Sequence, residues 1–329
     1  MKQMKIGGLK RKKFLSDGEW LQAVIDKNPE SELYIPSGVY KIEKPIVIKN
    51  GVSLRLDKGA IFLAVKEMDF VLIYDGKRRN FERASEIAGH TVADYNNFLT
   101  GGTIDGAGLA SCMIVENYFH YTVRETTFLN GKRYGLYVAK KGYELFASNC
   151  YFKCTVSGLL ENAAVYSEGG DSHFVDIVSV DYRIGFDMQG NIGANRLTRC
   201  HVWGGPLGYT KDGGKSEMLE NSVGFRCVSR DNFLRDCYAD TSHVGFDIYE
   251  WTRMIGCAYA NNPLFGLEDT IVIRHNCDDP LIVDHGFFCK ALPQDGVRLR
   301  SNLFEGSKKN VKWGENMLVR GYEEPNFDE

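Results

Sequence analysis

The sequence predicts an all-β chain wound as a right-handed parallel β-helix, a solenoid with a short helical cap at its N-terminus. A recurring five-residue pattern and a Gly-rich, Pro-poor composition carry that reading. The pattern is apolar, Gly, apolar, variable, then apolar. It reads Tyr134-Gly135-Leu136-Tyr137-Val138, Ile184-Gly185-Phe186-Asp187-Met188, Val223-Gly224-Phe225-Arg226-Cys227 and Val244-Gly245-Phe246-Asp247-Ile248. Weaker copies are centred on Gly158, Gly266 and Gly296. The step from Gly224 to Gly245 is 21 residues, as is the step from Gly245 to Gly266, and the other gaps are longer. A base period near 21 with insertions suits one solenoid coil, and the Leu and Asn signature of leucine-rich repeats is missing. With 35 Gly and only 8 Pro, the chain has the composition of many short strands joined by turns.

The elements follow in order. Residues 1–30 form the expected cap, with a short helix over residues 19–26, because an open coil would expose a sheet edge and the core. The basic residues between Lys2 and Lys13 read as a solvated end. Alternating apolar residues mark strands within 33–40, 46–48 and 52–60. Residues 77–94, charged and aperiodic, read as a loop. Further along, Leu197-Thr198-Arg199-Cys200 matches Leu234-Arg235-Asp236-Cys237 and Met254-Ile255-Gly256-Cys257, with Ile177 and Cys150 in the same phase of earlier coils. These residues should stack inside the tube as a ladder. The coils are expected over about 31–305 and a tail over about 306–329, all in one domain spanning 1–329.

Hydrophobic residues make up 43% and charged residues 25%, ordinary values for a folded protein. The formal net charge of −3 argues against a general nucleic-acid binder, which needs a basic excess. Neither a signal-peptide pattern nor an apolar run of membrane-spanning length is present, so the expectation is a cytoplasmic protein, or a particle component if it belongs to a phage tail. Nine Cys occur without any Cys-x-x-Cys pair, and His173, His201, His243 and His285 show no metal spacing. The cysteines read as reduced core residues. No cofactor is expected. A carboxylate-rich face is compatible with Ca²⁺, though no loop supplies a recognisable ligand set.

Three segments carry a resemblance: Tyr34-Ile35-Pro36-Ser37-Gly38-Val39-Tyr40, Leu54-Arg55-Leu56-Asp57-Lys58-Gly59-Ala60 and Gly101-Gly102-Thr103-Ile104-Asp105-Gly106-Ala107-Gly108. They resemble segments that open the pectate-lyase-like β-helix superfamily, which includes polygalacturonase-like glycoside hydrolases, polysaccharide lyases and phage tailspikes. The resemblance covers about residues 15–110 by motif and the rest by repeat. It implies the β-helix fold, an oligosaccharide or polysaccharide partner and compatibility with a homotrimer. Asp105 in its Asp-Gly pair reads as a turn residue. The chain departs from the polygalacturonase motif set. It has no Asn-Thr-Asp, one Asp-Asp at Asp278-Asp279, and Asp284-His285-Gly286 in place of Gly-His-Gly.

Strand alternation turns the repeat into a chemical prediction. If Phe186, Phe225, Phe246 and Leu267 face inward, the residue after each faces out. That outward column reads Tyr137, Leu160, Asp187, Arg226, Asp247, Glu268 and Arg298. Neighbouring coils lie ~4.8 Å apart, so Asp247 and Glu268 would be close, and Asp187 and Asp247 roughly 10 Å apart at the backbone. Such carboxyl pairs fall near the separations that glycosidases use. Asp247 and Glu268 are therefore candidate acid and nucleophile or base, with Asp187 as substitute. Arg226 and Arg298 are candidate substrate ligands, with Gln189, Tyr249, Glu250 and Trp251 beside them as a sugar-binding face. The same column also fits a solvated face in which an Asp–Arg–Asp stack avoids like-charge repulsion. The functional expectation is a glycoside hydrolase of soluble oligosaccharides. The alternatives are a lyase or epimerase of uronate sugars, or a non-catalytic phage tail or glycan-binding β-helix.

Overall fold

The computed structural model describes residues 2–5, 16–49, 51–76, 96–190, 193–205, 207, 216–249 and 252–260, together with the strands Asp269–Ile273, Leu303–Glu305 and Lys309–Trp313. The fold is a right-handed parallel β-helix. Three sheets, each of ten strands among the described residues, run the length of the tube, and every pairing within them is between successive coils. In one representative coil, Thr122–Arg124 lies in the first sheet, Thr127–Leu129 in the second and Tyr134–Val138 in the third.

The cap helix α1 spans Asp17–Lys27. Ser16 begins it by accepting a hydrogen bond from the Glu19 amide at 3.2 Å. Asp17 and Glu19 in the first turn and Lys27 in the last suit the helix dipole. Its buried face of Trp20, Leu21, Val24 and Ile25 joins the core, with Trp20 stacked on Tyr40 at 6.2 Å. The basic start is not wholly a solvated end: Lys2–Lys5 is a strand paired in parallel with Ser31–Ile35, because the first sheet's open edge supplies free hydrogen-bonding groups. At the other end the strand Lys309–Trp313 pairs with Asp269–Ile273, so coil structure extends past residue 305 into the expected tail. The expected loop at 77–94 lies outside the described residues.

One corner recurs between the first and second sheets. Glu125, Asn149, Asp176, Arg199, Asp236 and Gly256 each adopt φ between 51° and 61°. The left-handed residue turns the chain sharply, and Asn, Asp and Gly adopt it most readily. The next residue then drops into the interior: Thr126, Cys150, Ile177, Cys200, Cys237 and Cys257 are all buried. The cysteine ladder is thus present as expected. Burial pushes the Cys150 thiol up to about 12 and the Cys237 and Cys257 thiols well above their ordinary range. All seven described cysteines are free thiols. A second interior ladder is polar, with Asn195 donating to Asn232 at 3.3 Å and accepting from the Ser172 amide at 3.3 Å.

The repeating Gly lies in the third sheet and has a packing cause. A Cβ on Gly185 would stand 2.3 Å from Val202, and one on Gly224 2.9 Å from the Ala239 methyl, both on the second sheet across the core. At these two coils the facing sheet stands too close to admit a methyl group without a shift. Phe186, Phe225 and Phe246 fill the adjacent position as a stack, with successive ring centroids 5.1 Å apart and planes within 10°. All three rings are fully buried.

The weak copy of the repeat centred on Gly158 is not a third-sheet strand, and the copies centred on Gly266 and Gly296 lie outside the described residues. The strand after Tyr134–Val138 is Ala163–Ser167, with Ala164 in the Gly place, and Gly158 stands in a turn with open space around it. Asp269–Ile273 and Lys309–Trp313 are the next described strands after Val244–Ile248 in that sheet. Spacing alone put the Gly158 copy in register, but the ladder is set by which apolar pair fills the core.

Candidate functional site

The third sheet's outer face carries the candidate site. Register runs Ile73, Ile114, Tyr137, Tyr166, Asp187, Arg226, Asp247, Val272 and Lys312. The structure therefore corrects the expected column at three places. Tyr166 stands where Leu160 was expected, Val272 where Glu268 was expected, and Lys312 where Arg298 was expected. Glu268, Arg298, Glu250 and Trp251 lie outside the described residues, as do Asp278, Asp279 and His285. The central run of Asp187, Arg226 and Asp247 is in register on adjacent strands.

Arg226 bridges the two carboxylates. Its Nε donates to Asp247 Oδ2 at 3.3 Å, and its Nη1 lies 3.8 Å from Asp187 Oδ2. Gln189, two residues beyond Asp187 on the same strand face, donates to Asp187 Oδ1 at 2.6 Å. Although these side chains leave the tube's interior, Asp187 is only 5% exposed and Asp247 2%. A solvated ladder would not show such burial. Burial raises the Asp187 pKa above the ordinary carboxylate value; the Gln189 hydrogen bond and the Arg226 charge oppose that shift, and Asp247 reinforces it. Cys227 faces inward, fully buried, with its thiol pushed far up by desolvation, so it is no nucleophile.

On the N-terminal side the sheet carries aromatic rings. Tyr134, Tyr137 and Tyr166 form a mutual cluster with centroids 4.8 to 5.1 Å apart. Phe70 adjoins Tyr134 at 6.5 Å and Tyr137 at 6.1 Å. The three tyrosines are half-buried. Tyr137 donates its hydroxyl to Glu168, which follows the Tyr166 strand as Gln189 follows the Asp187 strand. Burial holds the Tyr166 phenol up at about 12, so it stays neutral across the working range. The guanidinium of Arg133 lies over the Tyr134 ring at 5.4 Å.

Of the residues singled out in the sequence, Asp187, Arg226, Asp247, Gln189 and Tyr137 come together on this face, joined by Tyr166, Glu168, Tyr134 and Phe70, which the sequence reading did not include. Ala163-Ala164-Val165-Tyr166-Ser167 fits the repeat once Ala is allowed in the Gly place, and that signal would have exposed Tyr166 and Glu168. Tyr249 is half-buried and begins just after the Asp247 strand, with its amide bonded to Cys227 O at 2.8 Å. Asp105 serves its turn, accepting from the Ala107 amide at 2.8 Å. A separate groove beside α1 is lined by Glu19, Gln22, Asp26, Glu43 and Lys66, and Lys66 pairs there with Glu43 at 2.9 Å. Among the described residues no cluster of three His, Cys, Asp or Glu side chains could hold a metal ion.

The chain matches no protein-family profile, and comparison with curated proteins finds no match by sequence. Its fold does match solved structures. An endo-xylogalacturonan hydrolase from Aspergillus tubingensis aligns at TM-score 0.57 and 8% identity over 95% of this chain and 93% of its own. An alginate lyase from Paenibacillus sp. str. FPU-7 aligns at TM-score 0.56 and 9% identity over 89% and 96%. The tailspike protein of E. coli bacteriophage HK620, in complex with a pentasaccharide, aligns at TM-score 0.55 and 12% identity over 89% and 63%. The parallel β-helix read from the sequence is therefore a fold that these structures share.

Proposed function

We propose that this β-helix is a carbohydrate-active protein, and that the outer face of its third sheet hydrolyses a glycosidic bond. The observation that carries the reading is the buried Asp187–Arg226–Asp247 arrangement at the end of a tyrosine cluster. Hydrolysis needs one carboxyl that holds a proton for the leaving oxygen and one carboxylate that activates water. Desolvation favours the protonated form of Asp187, which makes it the general acid. Asp247, ion-paired with Arg226, is then the base. Gln189 fixes the Asp187 carboxyl, and the tyrosine rings offer flat apolar surfaces for sugar faces. The fold neighbours include a hydrolase and a lyase of polysaccharides and a tailspike bound to a pentasaccharide, which supports a carbohydrate ligand.

A turnover panel of soluble oligosaccharides, read by product mass, tests the reading. Products that together gain one water support hydrolysis. An unsaturated end at unchanged total mass would replace it with a lyase. Binding without turnover would make the face a glycan receptor.

A further inference from the structure

The site's charges specify its ligand more closely, on the premise that the proposed face is where sugar binds. On that premise Asp187 holds its proton, so the charges closest to the reacting position are the Asp247 carboxylate and the Arg226 guanidinium paired with it. Glu168 adds a second carboxylate one coil away. Arg226 directs its Nε to Asp247 and its Nη1 toward Asp187, both groups of the protein itself. Nearby Arg183 gives its Nη1 to the carbonyls of Glu217 and Met218 at 2.6 and 3.2 Å. Arg133 stands over Tyr134, two coils before Asp187. A sugar carboxylate placed at Asp187–Asp247 would meet Asp247 and Glu168, two carboxylates against a guanidinium already paired with Asp247, in a poorly solvated setting where like-charge contact is unfavourable.

The aromatic cluster argues the same way from attraction. Tyr134 and Tyr137 share one coil and Tyr166 lies on the next, with Phe70 two coils before Tyr134 on the same sheet. Coils repeat at ~4.8 Å, so the Tyr137 and Tyr166 rings stand at a spacing that could serve neighbouring units of an extended glycan. Rings of this kind stack on the C–H faces of sugars, a contact that needs no charge on the ligand. Glu168, held by the Tyr137 hydroxyl, offers an acceptor for sugar hydroxyls at the edge of the cluster.

We propose that the site selects an uncharged oligosaccharide, seated on Tyr134, Tyr137 and Tyr166, and that Asp247 and Glu168 exclude uronates from the reacting position. This sets uronate lyase and epimerase chemistry aside for this chain, since both act on a sugar whose carboxylate is neutralised by the protein.

The test is calorimetric binding of the full chain to neutral gluco-, manno-, galacto- and xylo-tetraoses and to galacturonate and mannuronate tetramers. The expected result is binding of at least one neutral tetraose, weakened tenfold or more in Tyr166→Ala and largely kept in Tyr166→Phe, with no uronate tetramer binding more tightly. Asp247→Asn, which removes one negative charge, should raise uronate affinity relative to wild type. Preferred binding of a uronate tetramer, lost in Arg133→Ala, would overturn the inference and make Arg133 a carboxylate reader. Binding of no tetraose of either kind would overturn it as well. Neutral binding with no turnover in the product-mass panel would uphold it while refuting hydrolysis.

Discussion

Asp187 and Asp247 occupy one register position two coils apart, and a single guanidinium, that of Arg226, contacts both. Two coils separate their backbones by roughly 10 Å. Side-chain lean toward a shared Arg shortens that separation at the carboxyl groups, toward the ~6.5–9.5 Å that inverting glycosidases use. The hydrolysis product should therefore appear first with inverted anomeric configuration, followed by proton NMR during early turnover. Retention would require a closer carboxyl partner.

Activity should follow the protonation of Asp187. Its pKa is raised above 3.8, chiefly by burial, so kcat/KM should fall on an alkaline limb that lies above the ordinary aspartate range. The same shift has a stability consequence. A raised folded-state pKa gives stability that is complete below 3.8 and lost as pH rises through the folded value. Asp187→Asn should abolish that alkaline limb and, in urea unfolding at neutral pH, be at least as stable as wild type. Marked destabilisation there would mean that Asp187 is a structural partner of Arg226.

The narrowness of the tube can be measured at its glycines. Gly185→Ala and Gly224→Ala should each destabilise by about 1–3 kcal/mol in urea unfolding, because the new methyl meets Val202 or Ala239. Phe225→Ala, which opens the ring stack, should lose about 3–5 kcal/mol.

Asp57 supplies an acid-side test. Hydrogen bonds from Ser37, the Gly59 amide and Tyr34 lower its pKa from 3.8 to about 2. A lowered folded-state value gives stability that is present above 3.8 and lost as pH falls toward about 2. Wild-type denaturation midpoints should therefore drop across that window, and Asp57→Asn should show a smaller drop.

The fold was legible because its constraints are local and repeated. The Gly that avoids Val202, the Phe that stacks and the Cys that follows a left-handed corner all return in phase, so periodicity reveals them. The register was less legible. Gly158 mimics the repeat yet serves a turn, whereas Ala164 performs the packing role with a different residue, so Tyr166 and Glu168 escaped notice. Burial of Asp187 and Asp247 was also hidden, since alternation gives direction but not what covers a face. The strand at Lys2–Lys5 was missed because pairing with a sheet edge outweighs local charge.

Hydrolysis by the Asp187–Asp247 pair is tested most directly by comparing kcat/KM of wild type, Asp187→Asn and Asp247→Asn on one cleaved oligosaccharide, with folding verified by thermal unfolding. Removing a general acid or base is expected to lower the rate ~10²–10⁴-fold. Such losses in both folded variants, with tetraose binding retained, are the predicted result. Wild-type rates in either folded variant would contradict the assignment and leave the Asp–Arg–Asp stack as a structural ion-pair network.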